Sequence, residues 1–531
     1  MRYIALVAAV VCTALFGVLS LEMPRYFGLF FIISALFLLV GLRDLFQSEH
    51  SLLRNYPLLA HFRWFFEAIR PEIRQYLIES DTEAAPFSRE QRSQVYARAK
   101  GDNDSDAFGT ELNVYAEGHE WLAHSIAART PSETPSRVRI GGPDCTQPYD
   151  SSTLNISAMS FGSLSANAIR ALNKGAAMGE FAHDTGEGSI SRHHKEFGGD
   201  LIWELGSGYF GCRNKDGSFD RTQFVDRASD DQVKMVEIKL SQGAKPGHGG
   251  VLPGSKVTEE IAEARGVQVG QTCVSPPAHS AFSTPIEMME FIADLRQGCG
   301  GKPVGFKLCI GHGWQFMSLA KAMLKTGITP DFIVIDGAEG GTGAAPLELA
   351  DNVGTPLREG LVWAHNVLVG AGLREQIRIG ASGKITSGFR MASNMALGAD
   401  WCNSARGFMF ALGCVQSESC HTDRCPVGVA TQNAWRQRGL VVPDKAERVF
   451  NYHRATVKAM QEVVATVGLD HPNQLAPEHL CRRTHDSEIL TADHVYRFLN
   501  TGELLTATGQ GRYEQSWARA QAESFLPRSR A

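Results

Sequence analysis

Three cysteines stand close together in the pattern Cys414-x5-Cys420-x4-Cys425-Pro426. Three thiols in so short a stretch, the last followed by proline, resemble iron–sulfur ligation, since soft thiolate sets select iron–sulfur clusters or zinc. Two other readings stay open on spacing alone: His421 completing a Cys3His zinc site, or buried thiols that only pack. The other cysteines among the 11 form no comparable group. A fourth cluster ligand is therefore not evident, and a three-iron cluster fits better than a four-iron one.

Glycine is the second chemical signal, at 53 of 531 residues. It concentrates in Thr185-Gly186-Glu187-Gly188, in Gln242 through Gly250, in Asp336 through Pro346 (which contains Gly341-Thr342-Gly343), in Gly380-Ala381-Ser382-Gly383-Lys384 and in Ser404-Ala405-Arg406-Gly407. Bare backbone N–H groups in such loops can close on an anion, and Lys384 and Arg406 would add charge for a phosphorylated cofactor. Two lone charges stand out. Lys307 sits in the apolar run Gly305-Phe306-Lys307-Leu308, as a cation facing a ligand or a snorkelling surface residue. Glu187, between two glycines, is either a turn residue or a carboxylate presented to a site.

Each glycine-rich loop follows a short apolar run. The candidate strands are Leu154–Met159, Glu180–His183, Leu201–Leu205, Lys234–Leu240, Val304–Cys309, Phe332–Ile335, Gln376–Ile379 and Trp401–Asn403. Helix-length segments separate most of them, including Ala166–Met178, Glu287–Arg296, Trp314–Thr326 and Arg390–Leu397. Eight strand–helix repeats predict an α/β fold of the (β/α)8 TIM-barrel type, with the loops after strands seven and eight at the usual phosphate site. An open doubly wound sheet fits the same alternation. No G-x-G-x-x-G follows a strand, which argues against a dinucleotide-binding domain.

The N-terminus has a different character. Tyr3–Leu21 and Tyr26–Leu42 are uncharged, mostly apolar runs separated by Glu22-Met23-Pro24-Arg25. As helices they would span about 28 and 25 Å, near the thickness of a bilayer core. A transmembrane hairpin over 1–43 is expected rather than a cleaved signal peptide, with Arg2 and Arg43 placing both ends in the cytoplasm. A helical and polar arm over 44–150, the barrel over 151–485 and a C-terminal extension over 486–531 follow. Lys+Arg number 52 against 57 Asp+Glu, a net charge of −5 that argues against a nucleic-acid partner.

Six motifs in order resemble the FMN-binding synthase domain of glutamate synthase: Ala158–Gly162, Thr185–Gly188, Gln242–Gly247, Ser275-Pro276-Pro277, Gly340–Ala344 and Cys420 through Gln432. The resemblance implies a barrel holding FMN beside a [3Fe-4S] cluster on Cys414, Cys420 and Cys425. It implies reductive synthesis of L-glutamate from 2-oxoglutarate and ammonia, with electrons passing through the cluster to FMN and on to 2-iminoglutarate. Lys245 and Arg265 match positions that bind 2-oxoglutarate. Lys307 matches a lysine near the flavin, and Glu187 an acidic residue handling the imine or ammonia. Met159, Ser160, Gly341, Thr342, Gly343, Gly380, Ser382, Gly383, Lys384, Ser404, Arg406 and Gly407 are the expected cofactor contacts.

Two positions depart from that family on the expected ligand side. Val251 stands where the large forms carry glutamine, and Tyr209 where they carry arginine. These favour, as an alternative, a related flavoenzyme using another 2-oxo acid or an amine, as in N-substituted glutamate synthesis. A non-catalytic electron-transfer subunit of a membrane complex is a further alternative. The sequence opens on the hydrophobic spans and not on a glutaminase domain with an N-terminal cysteine. Ammonia is therefore expected free or from a separate glutaminase subunit, and electrons from ferredoxin or an NAD(P)H-dependent reductase.

Overall fold

The computed structural model of the protein describes residues 2–105, 107–485, 488–506 and 510–529. Met1, at the head of the expected hairpin, and 486–487, at the head of the expected extension, lie outside it. The chain divides into two compact units, 1–89 and 90–531. The expected arm is shared between them. In the second unit its helix Arg89–Lys100 buries Arg92, Val95, Arg98 and Ala99, because Arg98 pairs with Asp104 at 2.7 Å and bonds Thr456.

In the first unit, helices Ile4–Glu22 and Pro24–Phe46 pack against each other and are joined through Met23, with proline opening the second. Both are long and apolar enough to cross a membrane. Most of their large side chains face outward, Leu21, Leu29 and Leu39 among them. Asp44 ends this pair: it is buried, and its carboxylate accepts from the backbone N–H of Leu58 and the ring of His61.

The second unit is built on eight parallel strands closed into a barrel. We number them β1 (Leu154–Ile156), β2 (His183–Asp184), β3 (Leu201–Leu205), β4 (Val233–Lys239), β5 (Val304–Leu308), β6 (Phe332–Asp336), β7 (Arg378–Ser382) and β8 (Trp401–Ser404). All eight expected strands are present, and two are displaced. β2 starts late because Glu180 adopts φ 53° as the left-handed end of helix Ala166–Gly179. β7 starts late because Arg374–Gln376 is a 3-10 turn. The outer helices carry their own start and stop signals. Ser165 caps the first, Thr284 and Glu287 form a capping box ahead of Pro285–Gly298, and Gly327 ends Gly313–Thr326 in the left-handed region. The long helix Val442–Val467 packs on Ala166–Gly179 beside β1.

Strand periodicity divides the barrel interior into layers, since residues two apart share a face. The lower layer is apolar: Ala182, Ile202, Met235, Phe332, Val334 and Trp401 pack with Ile140 and Tyr149. The latter two come from a hairpin, Arg137–Ile140 with Tyr149–Ser152, that brings them onto this layer. Two residues further along their strands, Ala182, Ile202 and Met235 are succeeded by Asp184, Glu204 and Glu237. The side of the barrel toward the strand ends is therefore charged. Residues 486–529, as far as described, belong to the same unit: Asn366 bonds Tyr513, Arg497 and Leu499, and Lys321 bonds the carbonyls of Trp517 and Ala520.

Candidate active site

The charged layer holds Lys307, from β5, against Glu204 of β3 and with Glu237 of β4 at 3.2 Å. All are buried. Burial opposes the charge on Lys307, but Glu204 and then Glu237 outweigh it and hold its pKa well above the usual lysine range. Burial, with Glu204 next, pushes Asp184 up to about 7, and burial also raises Glu237. One ammonium thus serves three carboxylates, and the layer retains protons at neutral pH. Ligand oxygens of Asp184, Glu204 and Glu237 lie within 4.8 Å of one another, and the Lys307 ammonium supplies the cation there.

Above this layer, Glu187 follows β2 and Lys239 ends β4. Their Nζ···Oε1 separation is 3.1 Å, and Ser275 Oγ donates to Glu187 Oε2 at 3.1 Å. Burial works against ionisation of Glu187, but Lys239, Arg265 and the serine bond outweigh it and keep its pKa low. Lys245, 6% exposed, lies near the same carboxylate; burial and the neighbouring Lys239 charge lower its pKa. Arg265 ends helix Glu259–Arg265, is 3% exposed, and lies 4.9 Å from the Phe210 ring centroid. Its Nη2 donates to Phe161 O at 3.2 Å and Ser160 Oγ at 3.4 Å, while its buried Nε has no hydrogen-bond partner. Three cations therefore surround one carboxylate, and Arg265 keeps a buried donor unused.

The loops approach so closely that glycine is required at two points. A Cβ on Gly243 would lie 1.7 Å from Gly337 O, and one on Gly249 would lie 1.9 Å from Ser275 O. Asp336, at the end of β6, accepts from Gly243 N at 2.7 Å and ties the two loops together. Gln242 Nε2 donates to Thr342 Oγ1 at 3.2 Å, joining the exposed Gly341–Gly343 loop to the same rim.

The expected phosphate residues converge after β7 and β8. Lys384 adopts φ 48° beyond Ser382 and Gly383, and Ser404 Oγ donates to Ile385 O at 2.6 Å, fixing that turn. Arg406 Nη2 donates to Glu339 O at 2.6 Å, and its side chain packs against Gly341. Burial lowers Lys384, with Arg406 next, and lowers Arg406 to about 10. An exposed Lys384 and a half-buried Arg406, two mutually repelling cations on adjacent strand ends, fit the phosphate of FMN. Gly407 lies against Ser404 and Tyr452. Gly380 differs from expectation: it lies inside β7 under the Trp401 indole, in the wall rather than the rim. Met159 and Ser160, after β1, touch Gly186 and Gly188, with Ser160 Oγ also donating to Ser163 Oγ.

Cys414, Cys420 and Cys425 occupy the loop after helix Arg406–Leu412. Burial, with smaller contributions from the nearby Cys420 and Cys425, pushes the Cys414 thiol up to about 12. Gln416 N donates to Cys414 Sγ at 3.5 Å, and Tyr96 Oη to Cys414 O at 2.6 Å. Among the described residues these thiols form no set of three ligand atoms within 4.8 Å of one another, as a single zinc ion would gather. Three thiols on one loop are the donor set an iron–sulfur cluster takes. Gln432 Nε2 donates to Gly162 O and Leu164 O, both at 3.0 Å, and so joins this loop to the Met159–Gly162 loop.

The two departures differ in position. Val251 is 45% exposed and pairs with Val274, 62% exposed, next to Gly250. Tyr209 turns away from the rim: it is fully buried against Phe219, and its hydroxyl bonds His279 Nδ1 at 3.0 Å. His279 Nε2 donates to Lys239 O at 2.8 Å, so Nδ1 is the acceptor and Tyr209 the donor. Lys239, Asp184, Glu204 and Glu237 were not singled out by sequence. Their signal is a charge at alternate positions inside an otherwise apolar strand.

Residues 144–470 match the family described as a conserved region in glutamate synthase. The chain is 38% identical over 514 residues to the glutamate synthase large subunit-like protein YerD of Bacillus subtilis (strain 168), covering 89% of this chain and 98% of that protein. It is 33% identical over 316 residues to the archaeal NADPH glutamate synthase of Archaeoglobus fulgidus, covering 59% of this chain and 58% of that protein. Among solved structures, a mutant flavocytochrome b2 with pyruvate bound aligns at TM-score 0.40 and 13% identity, covering 84% of this chain and 96% of that one.

Proposed function

The chain belongs to the glutamate synthase family of oxidoreductases, and from that premise we propose that it makes L-glutamate by reducing the imine of 2-oxoglutarate and ammonia. The observation that carries this reading is the excess of cations around Glu187. Lys239 already pairs with that carboxylate, which leaves Lys245 and Arg265 for the two negative charges of a 2-oxo dicarboxylate. The unpartnered Arg265 Nε is the donor a substrate carboxylate would satisfy. Glu187, held ionised, suits a cationic partner and steadies the ammonium and then the iminium nitrogen.

FMN, when bound, supplies the hydride, and a [3Fe-4S] cluster the single electrons that recharge it. Ser382, Gly383, Lys384, Ser404, Arg406 and Gly407 would hold the FMN phosphate, with Met159 and Ser160 beside the ring and Lys307 as a buried cation below. Cys414, Cys420 and Cys425 would hold the cluster. Nitrogen arrives as free ammonia or from a separate glutaminase subunit, and electrons from ferredoxin or an NAD(P)H-dependent reductase. Helices Ile4–Glu22 and Pro24–Phe46 anchor the protein in the cytoplasmic membrane, with the catalytic unit in the cytoplasm.

Dithionite-reduced protein given 2-oxoglutarate and 15N-ammonium is expected to form 15N-glutamate. Absence of labelled glutamate from protein carrying both FMN and iron contradicts the proposal. One observation favours a second reading. The exposed Val251–Val274 pair next to Gly250 offers an apolar surface, which suits an amine bearing an alkyl group in place of ammonia. Formation of an N-alkylglutamate in preference to glutamate, in the same assay with methylamine or ethylamine, would identify it.

A further inference from the structure

Lys256 closes a 3-10 turn, Gly254–Lys256, between the Val251–Leu252 strand and helix Glu259–Arg265. It is only 3% exposed. Its Nζ donates to Cys420 O at 2.9 Å and lies 3.8 Å from Asp423 Oδ1. Lysine is seldom buried, because taking an ammonium out of water is costly unless charge or hydrogen bonds compensate. Asp423 compensates incompletely. Its Oδ1 already accepts from Gln432 N at 2.7 Å, and its side chain is 34% exposed. Burial lowers the Lys256 pKa, and Asp423, then the sulfurs of Cys420 and Cys425, act to hold its charge. Those sulfurs are anionic once they ligate iron.

We propose that Lys256 sets the reduction potential of the cluster held by Cys414, Cys420 and Cys425, raising it by fixing a positive charge on the backbone of the Cys420 ligand. The inference rests on the cluster assignment made under the proposed function. Reduction adds an electron to a buried centre, and a buried cation favours the more negative state strongly because little solvent screens it. Asp423 acts in the opposite sense, so the two residues form a pair whose charges pull the potential apart. The same chain segment ends in Arg265, so the residue that tunes the electron entry point and the residue that meets the substrate share one short stretch.

The test is a redox titration of the full chain, followed by electron paramagnetic resonance, with iron content measured on every sample. Lys256→Gln keeps a donor for Cys420 O but removes the charge. It is expected to retain iron and to shift the reduced-to-oxidised ratio at the wild-type midpoint at least tenfold toward oxidised, about 59 mV for one electron. Lys256→Arg should stay near wild type. Asp423→Asn, which keeps the acceptor for Gln432 N, should shift the ratio toward reduced. An unchanged midpoint in Lys256→Gln with full iron overturns the proposal. So does a shift of both neutral variants in one direction, or loss of iron from Lys256→Gln, since each describes a loop anchor only. Wild-type protein without iron would instead remove the cluster assignment, before any variant is compared.

Discussion

Lys239 and Glu187 meet at 3.1 Å across the strand ends, joining the last residue of β4 to the loop after β2. The pair fixes the Glu187 carboxylate in its ionised form and uses one of the three surrounding cations. The remaining two define what can bind.

Glu187→Gln removes the charge that steadies the nitrogen and leaves Lys239 bonded to Gln242 Oε1 without its carboxylate. Turnover should fall about 10²- to 10⁴-fold, the range for losing a positioned ionisable catalytic group. FMN content should not change. Turnover and flavin-to-protein ratio measured on one preparation check this.

Arg265→Lys keeps the charge but loses the planar fork that matches a carboxylate. Hydrogen bonds to charged groups contribute about 1.5–3 kcal/mol, so KM for the 2-oxo acid should rise roughly 10- to 100-fold. Steady-state kinetics with the 2-oxo acid varied read this directly; an unchanged KM would take Arg265 out of the site.

Asp184 carries a pH signature. Its carboxyl stands at about 7 in the folded protein against 3.8 ordinarily, so the folded state holds the proton more tightly than the unfolded one. That contribution is fully present below pH 4 and is lost as pH rises to about 7. Asp184→Asn, which imitates the protonated form, should flatten denaturant stability over that interval. Denaturation curves at several pH values on both proteins test it.

Cys420→Ser should abolish the iron–sulfur absorbance while FMN stays bound, because the cysteine loop and the phosphate turns are separate structures. Loss of flavin with retention of iron would reverse the assignment.

Membrane anchoring predicts that the full chain stays in the pellet after alkaline carbonate treatment of membranes and enters solution with detergent. Release by carbonate alone would make the two apolar helices something other than an anchor.

Much of the barrel was legible because each strand is a short apolar run ending in glycine, and helix lengths separate them. The displaced starts of β2 and β7 were not, since Glu180 in a left-handed turn and a 3-10 turn at Arg374 depend on packing, not propensity. In the site, Glu187 was visible as a charge between two glycines, whereas Lys245 and Arg265 were marked by the family resemblance and not by their own spacing. Lys307 was visible as a lysine among apolar neighbours, but its partners Glu204 and Glu237 come from other strands, where a lone acid in an apolar run reads as a surface position. Tyr209 lies beside a glycine in sequence and was placed toward the ligand. Its ring instead fills space against Phe219 and orients His279, a consequence of three-dimensional packing that spacing does not encode.

The most direct measurement is anaerobic reoxidation of the dithionite-reduced, purified protein, following flavin absorbance after adding 2-oxoglutarate and ammonium together. Rapid reoxidation that needs both compounds and forms glutamate is the predicted result. Flavin that stays reduced in the presence of both, in protein with FMN and iron bound, contradicts glutamate synthesis at this site.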